Sequence, residues 1–295
     1  IDQTLGRQQM VLDMANQQVQ DYLFEKMAAV LEAHDIDYVK WDHNRVLPHP
    51  DAAQAQGCYD LMDRLGEAFP ELEIESCSSG GGRIDYGILR RTQRVWLSDS
   101  NDAIERTRIQ HESALWLPAA VTGSHVGPRH CHTSGRTLDI KLRAWVAAQR
   151  HMGFEMDPGE LSDEEAAYLT KVTSWWKANR DWMLSGDILR LDSMDPAVTA
   201  EQHLASDGRQ FAAFVTKTRT SDQILPKPIR LAGLDKEALY QVSLDNSDER
   251  HHLSRAGVAL TEGPITASGA YLMNQGLTLP WSFPETLWIL TGKKV

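Results

Sequence analysis

Cysteine is scarce in this chain, long apolar runs are absent, and positive charge is in the minority. Cys58, Cys77 and Cys131, three cysteines among 295 residues, make an odd and sparse set. That excludes a disulfide framework and points to a reducing compartment, the cytoplasm. No run of eighteen apolar residues occurs, so a membrane-spanning helix is not expected, and no charged, apolar, small-residue order marks a signal peptide. Lysine and arginine number 30 against 41 aspartates and glutamates, a formal net charge of −11. An acidic surface speaks against nucleic acid and anionic membranes as partners and suits a neutral substrate. Internal repeats and low-complexity tracts are missing too.

What is present is an ordinary globular composition, 42% hydrophobic and 24% charged, in a chain long enough for two domains. The first half alternates short apolar runs with amphipathic stretches. Strands are expected at 9–14, 36–41, 72–76, 94–97, more weakly at 119–126, and at 152–156. Asn16 can cap a helix that carries Val19, Tyr22, Leu23, Met27, Val30 and Leu31 at three-to-four spacing. Further helices are expected over about 59–69, 103–116, 136–150 and 162–184. A loop with Pro48 and Pro50 precedes the second helix. Roughly six strand–helix units in a row imply a parallel sheet buried on both faces. Carboxylates at the ends of different strands favour a (β/α)8 TIM barrel over an open sheet, with about two N-terminal units missing from this chain. Beyond Gly186, short strands at 188–191, 211–216, 229–231, 239–244, 257–260 and 286–290 describe an antiparallel β-sandwich. The fold class is therefore α/β, with a partial catalytic barrel over 1–185 and a β-sandwich domain over 186–295.

Two segments carry the chemistry. The first, Tyr38-Val39-Lys40-Trp41-Asp42-His43-Asn44-Arg45, is a strand that runs into a carboxylate. Alternation puts Lys40 and Asp42 on one face and Trp41 on the other. A lysine beside the carboxylate favours its ionised form, as a nucleophile requires. The structural alternative is a Lys–Asp pair at a strand end. The second segment runs from Cys77-Ser78-Ser79-Gly80-Gly81-Gly82-Arg83 to Trp96-Leu97-Ser98-Asp99-Ser100-Asn101-Asp102. Asp99 lies nearer the strand end and is the better candidate for a general acid, while Asp102 suits the start of the next helix. Either aspartate alone reads more simply as a helix cap. Two carboxylates on separate strands are what glycosidic cleavage needs.

The glycine turn lets a ligand approach the backbone, and it lacks the Lys-Ser/Thr ending of a phosphate loop. Cys77 has no specific histidine partner in the sequence, which favours packing or substrate contact over a nucleophilic role. His125, His130 and His132 with Cys131 lack the i, i+4 spacing of helical zinc sites, so no metal is expected. Trp175, Trp176 and Trp182 share one long helix and read as core. Trp41 and Trp96 fall near the proposed barrel mouth, where an aromatic ring can stack on a sugar.

In order and spacing these motifs resemble the α-galactosidases of glycoside hydrolase family thirty-six. Lys40-Trp41-Asp42-His43-Asn44-Arg45 is similar to that family's nucleophile motif, with His43 where many members have Met. Cys77 to Arg83 is similar to its substrate loop, with Ser79 in place of a glycine, and Trp96 to Arg106 is similar to its acid/base segment. The resemblance runs from Gly6 to Asp157 and continues more weakly beyond. It implies a retaining hydrolase of terminal α-galactosides such as raffinose-type oligosaccharides. Asp42 would be the nucleophile and Asp99 the acid/base, with Lys40, Cys77 and Gly80 on the galactose ring. Trp41, Asn44 and Trp96 complete the expected substrate contacts. No metal or organic cofactor is implied, and the full-length protein is expected to be a homo-oligomer. Family members carry a large β-domain and the first barrel strands ahead of this region, with sugar-binding residues that have no counterparts here. A chain that starts at Ile1 is thus expected to be the C-terminal portion of a longer polypeptide. Rival readings are a galactosyltransferase of the raffinose-synthase type, an α-N-acetylgalactosaminidase, or a non-catalytic sugar-binding fragment.

Overall fold

The computed structural model describes residues 9–45, 47, 51–223, 225–248 and 257–295. The expected loop at Pro48 and Pro50 lies outside them. The chain divides into two compact units, residues 1–99 and 100–295.

The first unit runs α1 (Gln17–Ala33), β1 (Tyr38–Trp41), α2 (Ala52–Ala68), β2 (Glu73–Ser76), α3 (Tyr86–Leu89) and β3 (Arg94–Val95). Asn16 caps α1 as its chemistry suggests, accepting from the Gln18 N–H at 2.9 Å. The stripe Val19, Leu23, Phe24, Met27 and Leu31 packs with Leu61 and Leu65 of α2 and with Trp41. α2 starts at Ala52, ahead of the expected Tyr59, because Asp51 caps it there by accepting from the Ala53 N–H. The three strands pair in parallel in the order β1-β2-β3, with Lys40 beside Glu75 and Glu75 beside Arg94. Parallel pairing with intervening helices is the expected strand–helix repeat.

The run 9–14, expected as a strand, pairs with no strand among the described residues. Side chains take its backbone groups instead. The Met14 N–H donates to Gln54 Oε1 at 2.8 Å, and the carbonyls of Leu12 and Met14 accept from Gln54 Nε2 and Gln20 Nε2, each at 2.9 Å. An apolar run does not say where its amide partners lie.

The second unit begins with α4 (Ala103–Ser113), β4 (Gly123–Val126), α5 (Ile140–Ala147), β5 (His151–Phe154) and α6 (Asp163–Ser185). β4 and β5 pair in parallel. A reciprocal capping box of Ser162 and Glu165 opens α6. Then follow β6 (Asp187–Leu191), β7 (Val198–Leu204), β8 (Gln210–Lys217), β9 (Leu239–Leu244), α7 (Ala259–Glu262), β10 (Ile265–Ser268), α8 (Gly269–Asn274) and β11 (Thr286–Lys294). The strands form one six-stranded sheet, ordered β10-β9-β11-β8-β7-β6, and every pairing is antiparallel.

Both faces of this sheet are buried. Ala212, Phe214, Leu287 and Ile289 pack with α5 and α6, around Trp145 and Trp176. Phe211, Ala213, Val215, Trp288 and Leu290 face a second core with Leu231, Leu272 and Leu277. Adjacent residues thus point into different cores, which explains the unbroken apolar runs of β8 and β11. Each of the larger apolar side chains among them, such as Phe214, Val215 and Leu290, contributes about 1.5–3 kcal/mol on burial.

β7 escapes a reading by hydrophobicity because its buried residues include Glu201, Gln202 and His203. The Gln202 amide brackets Ala232, donating to its carbonyl at 2.8 Å and accepting from its N–H at 3.0 Å. β10 was likewise not expected. Of 229–231, Ile229 forms a bridge with Leu277 and no longer strand. The expected strand at 257–260 is instead the helical turn α7.

Candidate active site

The two faces of the β1–β3 sheet differ in chemistry. Trp41 turns to the helices of the first unit. The opposite face carries a ladder of polar groups. Lys40 Nζ lies 3.5 Å from Glu75 Oε1 and 4.3 Å from the centre of the Trp96 ring. Tyr38 donates its hydroxyl to the other Glu75 oxygen. Glu73 pairs with Arg94. The cation expected beside Asp42 is therefore aimed at Glu75, which is 4% exposed. Glu75 is the site residue that sequence reasoning passed over. The alternation of Glu73 and Glu75 within a short strand was its signal.

Asp42 follows β1 and is exposed. One oxygen accepts from the His43 N–H at 2.8 Å and the other from the Asn44 amide. Burial pushes its carboxyl up, but donors outweigh that: the Cys77 thiol, the Asn44 amide and the N–H groups of His43 and Ser79 hold it below the usual aspartate range. For Cys77 the balance is reversed. Burial, above all, and the hydrogen bond to Asp42 push its thiol up to about 11, against the helpful Gly80 N–H and Lys40 charge. Cys77 is thus a neutral hydrogen-bond donor to a carboxylate, not a poised thiolate.

The turn 77–82 links this carboxylate to the second. Ser78 Oγ donates to the His43 carbonyl at 2.8 Å. The Ser79 N–H and hydroxyl both reach Asn44 Oδ1, at 3.0 and 3.1 Å. Ser79 and Gly80 have φ of 46° and 82°, the left-handed region where glycine is at home. A Cβ on Gly80 would stand 2.8 Å from both the Asp99 nitrogen and the Ser98 Cα, so the turn lies directly on the Asp99 backbone. Asp99 is exposed, and its Oδ1 accepts from the indole N–H of Trp96 at 3.1 Å. Lys40, Asp42, Asn44, Cys77, Gly80, Trp96 and Asp99 are therefore joined at one edge of the three strands. Trp41 is apart from them on the helix side. Trp96, 1% exposed, underlies Lys40 and orients Asp99.

The remaining sequence candidates have other partners. Asp102, fully buried, caps α4 by accepting from the N–H groups of Ile104 and Glu105 at 2.9 and 3.1 Å. It also accepts from Ser134 at 2.5 Å and Arg136 at 2.7 Å. Burial pushes its carboxyl up, and these donors together hold it below the usual range. His125 bonds Glu155 at 3.1 Å, His130 bonds Thr137 at 3.3 Å and Cys131 bonds Thr133 at 3.1 Å. Among the described residues no group of three or more His, Cys, Asp or Glu is placed to hold a metal ion.

Parallel strands that bring two open carboxylates and a glycine turn to one edge form the class of site that glycosidic bond chemistry uses. The chain belongs to the melibiase family, whose model matches residues 1–186, and the glycosyl hydrolase family 36 C-terminal domain matches residues 198–290. It is similar to the alpha-galactosidase of Escherichia coli, 35% identical over 96% of this chain and 42% of that protein. A probable alpha-galactosidase G of Emericella nidulans is 37% identical over 93% of this chain and 36% of its own length. Among solved structures, the GH36 alpha-galactosidase AgaA of Geobacillus stearothermophilus, as a variant in complex with 1-deoxygalactonojirimycin, superposes with a TM-score of 0.87. It is 28% identical, and the match covers 100% of this chain and 40% of that one. The galactosidase domain of AgaSK gives the same values. The chain thus spans about two fifths of the length of these relatives. The fold is that of part of the barrel followed by the antiparallel C-terminal domain.

Proposed function

We propose that this chain supplies the catalytic carboxylates of a retaining α-galactosidase. The observation that carries the reading is the turn 77–82, which ties Asp42, held ionised, to the backbone of Asp99. Asp42 attacks the anomeric carbon while Asp99 protonates the leaving oxygen. Water deprotonated by Asp99 then releases the sugar with its configuration kept. Cys77 and Asn44 hold Asp42 charged and fix its direction of attack. Lys40, Gly80 and the rim of the glycine turn meet the galactose hydroxyls, and Trp96 supports Lys40 and Asp99 from beneath. Trp41 acts through the packing of β1 on its helices.

Raffinose-type oligosaccharides suit the site, since AgaA variants have been solved with raffinose and with stachyose. Three free thiols support a cytoplasmic setting. The family resemblance supports a homo-oligomer for the protein at its natural length, which light scattering would test. Nitrophenol release from an aryl α-galactoside tests the activity. Asp42→Asn should lower kcat on the order of 10⁴-fold, and NMR of the first product should show the α-anomer. Unchanged hydrolysis in that variant would remove the mechanism.

A further inference from the structure

Arg83 closes the motif that begins at Cys77, and its bonds all run to protein. Nη2 donates to two carbonyls, Trp41 O at 2.7 Å and Cys77 O at 3.0 Å. Nε donates to Ser76 Oγ at 3.2 Å, and that hydroxyl donates back to the Arg83 carbonyl at 2.9 Å. Nη1 reaches Cys58 Sγ at 3.6 Å. Four of the five guanidinium N–H groups are thus occupied, leaving little with which to bind a sugar.

The two carbonyls are no ordinary pair. They are the acceptors of the last ladder bonds between β1 and β2, Cys77 N–H to Trp41 O at 2.9 Å and His43 N–H to Cys77 O at 3.1 Å. Those bonds flank Asp42 on either side. Among the described residues no strand pairing continues past them, and the Cys77 thiol must still meet the Asp42 carboxylate. A planar fork that grips both carbonyls keeps the strand ends from splaying.

We infer that Arg83 is a positioning residue, a clamp across the ends of β1 and β2 that keeps the Cys77 thiol on the Asp42 carboxylate. This rests on the functional reading given above. Lysine has a single nitrogen at its tip and cannot span both carbonyls and Ser76, so Arg83→Lys retains the charge and loses the clamp. With the strand ends loosened, Asp42 loses its thiol donor and its aim.

The test uses the protein at its natural length, with Arg83→Lys, Arg83→Gln and Asp42→Asn compared on an aryl α-galactoside. Both Arg83 variants should lose about a hundredfold in kcat, the cost of a displacement near 1 Å, with KM close to the parent value. The acid limb of their kcat/KM profile should move to higher pH, as Asp42 becomes easier to protonate. A carbon-13 NMR titration of Asp42 in Arg83→Lys should show the same upward movement without any turnover. An unmoved Asp42 titration, or an Arg83→Lys enzyme with the parent kcat and acid limb, overturns the clamp. Parent-like activity in Asp42→Asn would instead sink the functional reading, and the NMR titration would still decide the clamp. If Arg83→Gln does not fold, Arg83→Lys carries the comparison.

Discussion

The β1–β3 sheet of the first unit and the six-stranded sheet of the second both hold charged side chains, and they use them in opposite ways. In the first, Asp42 and Asp99 stand open to solvent at strand ends, and Lys40 keeps 36% of its side chain exposed. In the second, Arg150, Glu201 and His203 are each no more than 3% exposed. Arg150 Nη1 lies 2.5 Å from Glu201 Oε1 and His203 Nε2 lies 3.5 Å from it. Burial pushes the Glu201 carboxyl up, yet the Arg150 charge and the bonds from His203 and Arg150 hold it far below its ordinary value. In the proposed function the same residue types act as reagents where they are open to solvent, and they serve as fasteners where they are buried.

If that contrast is right, damage to the sheet should cost stability, and damage to the rim should cost turnover. The largest stability effect is expected for Glu201→Gln, which leaves Arg150 buried without its counter-charge. A loss of about 3–5 kcal/mol in urea denaturation is the outcome. The turnover of the molecules that remain folded should be unaffected, and a selective loss of kcat would break the comparison. Next comes Gly80→Ala. Its methyl group would press on the Asp99 and Ser98 backbone at 2.8 Å, so a loss of about a hundredfold in kcat is expected with a far smaller change in melting.

Acid should probe the second unit in two stages. Burial and the nearby Arg190 charge hold the His111 imidazole below its usual value, against the pull of Glu201. Both folded and unfolded His111 are neutral above a pH of about 6.5. As pH falls through that value the unfolded chain takes the proton first, so folding weakens. The depressed carboxyls of Glu201 and Asp102 stabilise the fold above the ordinary carboxylate range, and that contribution is lost as pH falls through their lowered folded values. Chemical denaturation at a series of pH values should show both stages, and His111→Gln should remove the first. The smallest change is expected for Ser79→Gly. It relieves a left-handed serine worth about 1–2 kcal/mol and gives up the hydroxyl bond to Asn44, worth about 1 kcal/mol. Melting should barely move, and a collapse of activity would show that the hydroxyl itself serves the reaction.

Much of this was legible in the sequence, for local reasons. Asn16 announces its helix because a cap needs one short polar side chain in the right place. Asp42 and Asp99 stand out because each follows a short apolar strand. The misses share a different cause. The run 9–14 has the composition of a strand, yet Gln20 and Gln54 satisfy its backbone from afar. β7 hides its alternation because Gln202 interrupts the apolar face of Val198, Ala200 and Leu204 and Glu201 is buried on the other, with partners at Ala232 and Arg150 far along the chain.

Sequence by itself determined the parallel units ahead of an antiparallel domain, the family, and the two aspartates on which the proposed chemistry rests. Periodicity, caps and ordered motifs act over a few residues and survive without coordinates. Tertiary structure alone decided that Lys40 answers to Glu75, that Cys77 is a neutral donor to Asp42, and that Arg83 spans two strand ends. Those are choices among many possible partners for each polar group. They are settled by the register of β1 on β2 and by the left-handed turn at Ser79 and Gly80, which bring separate stretches of chain within hydrogen-bond reach.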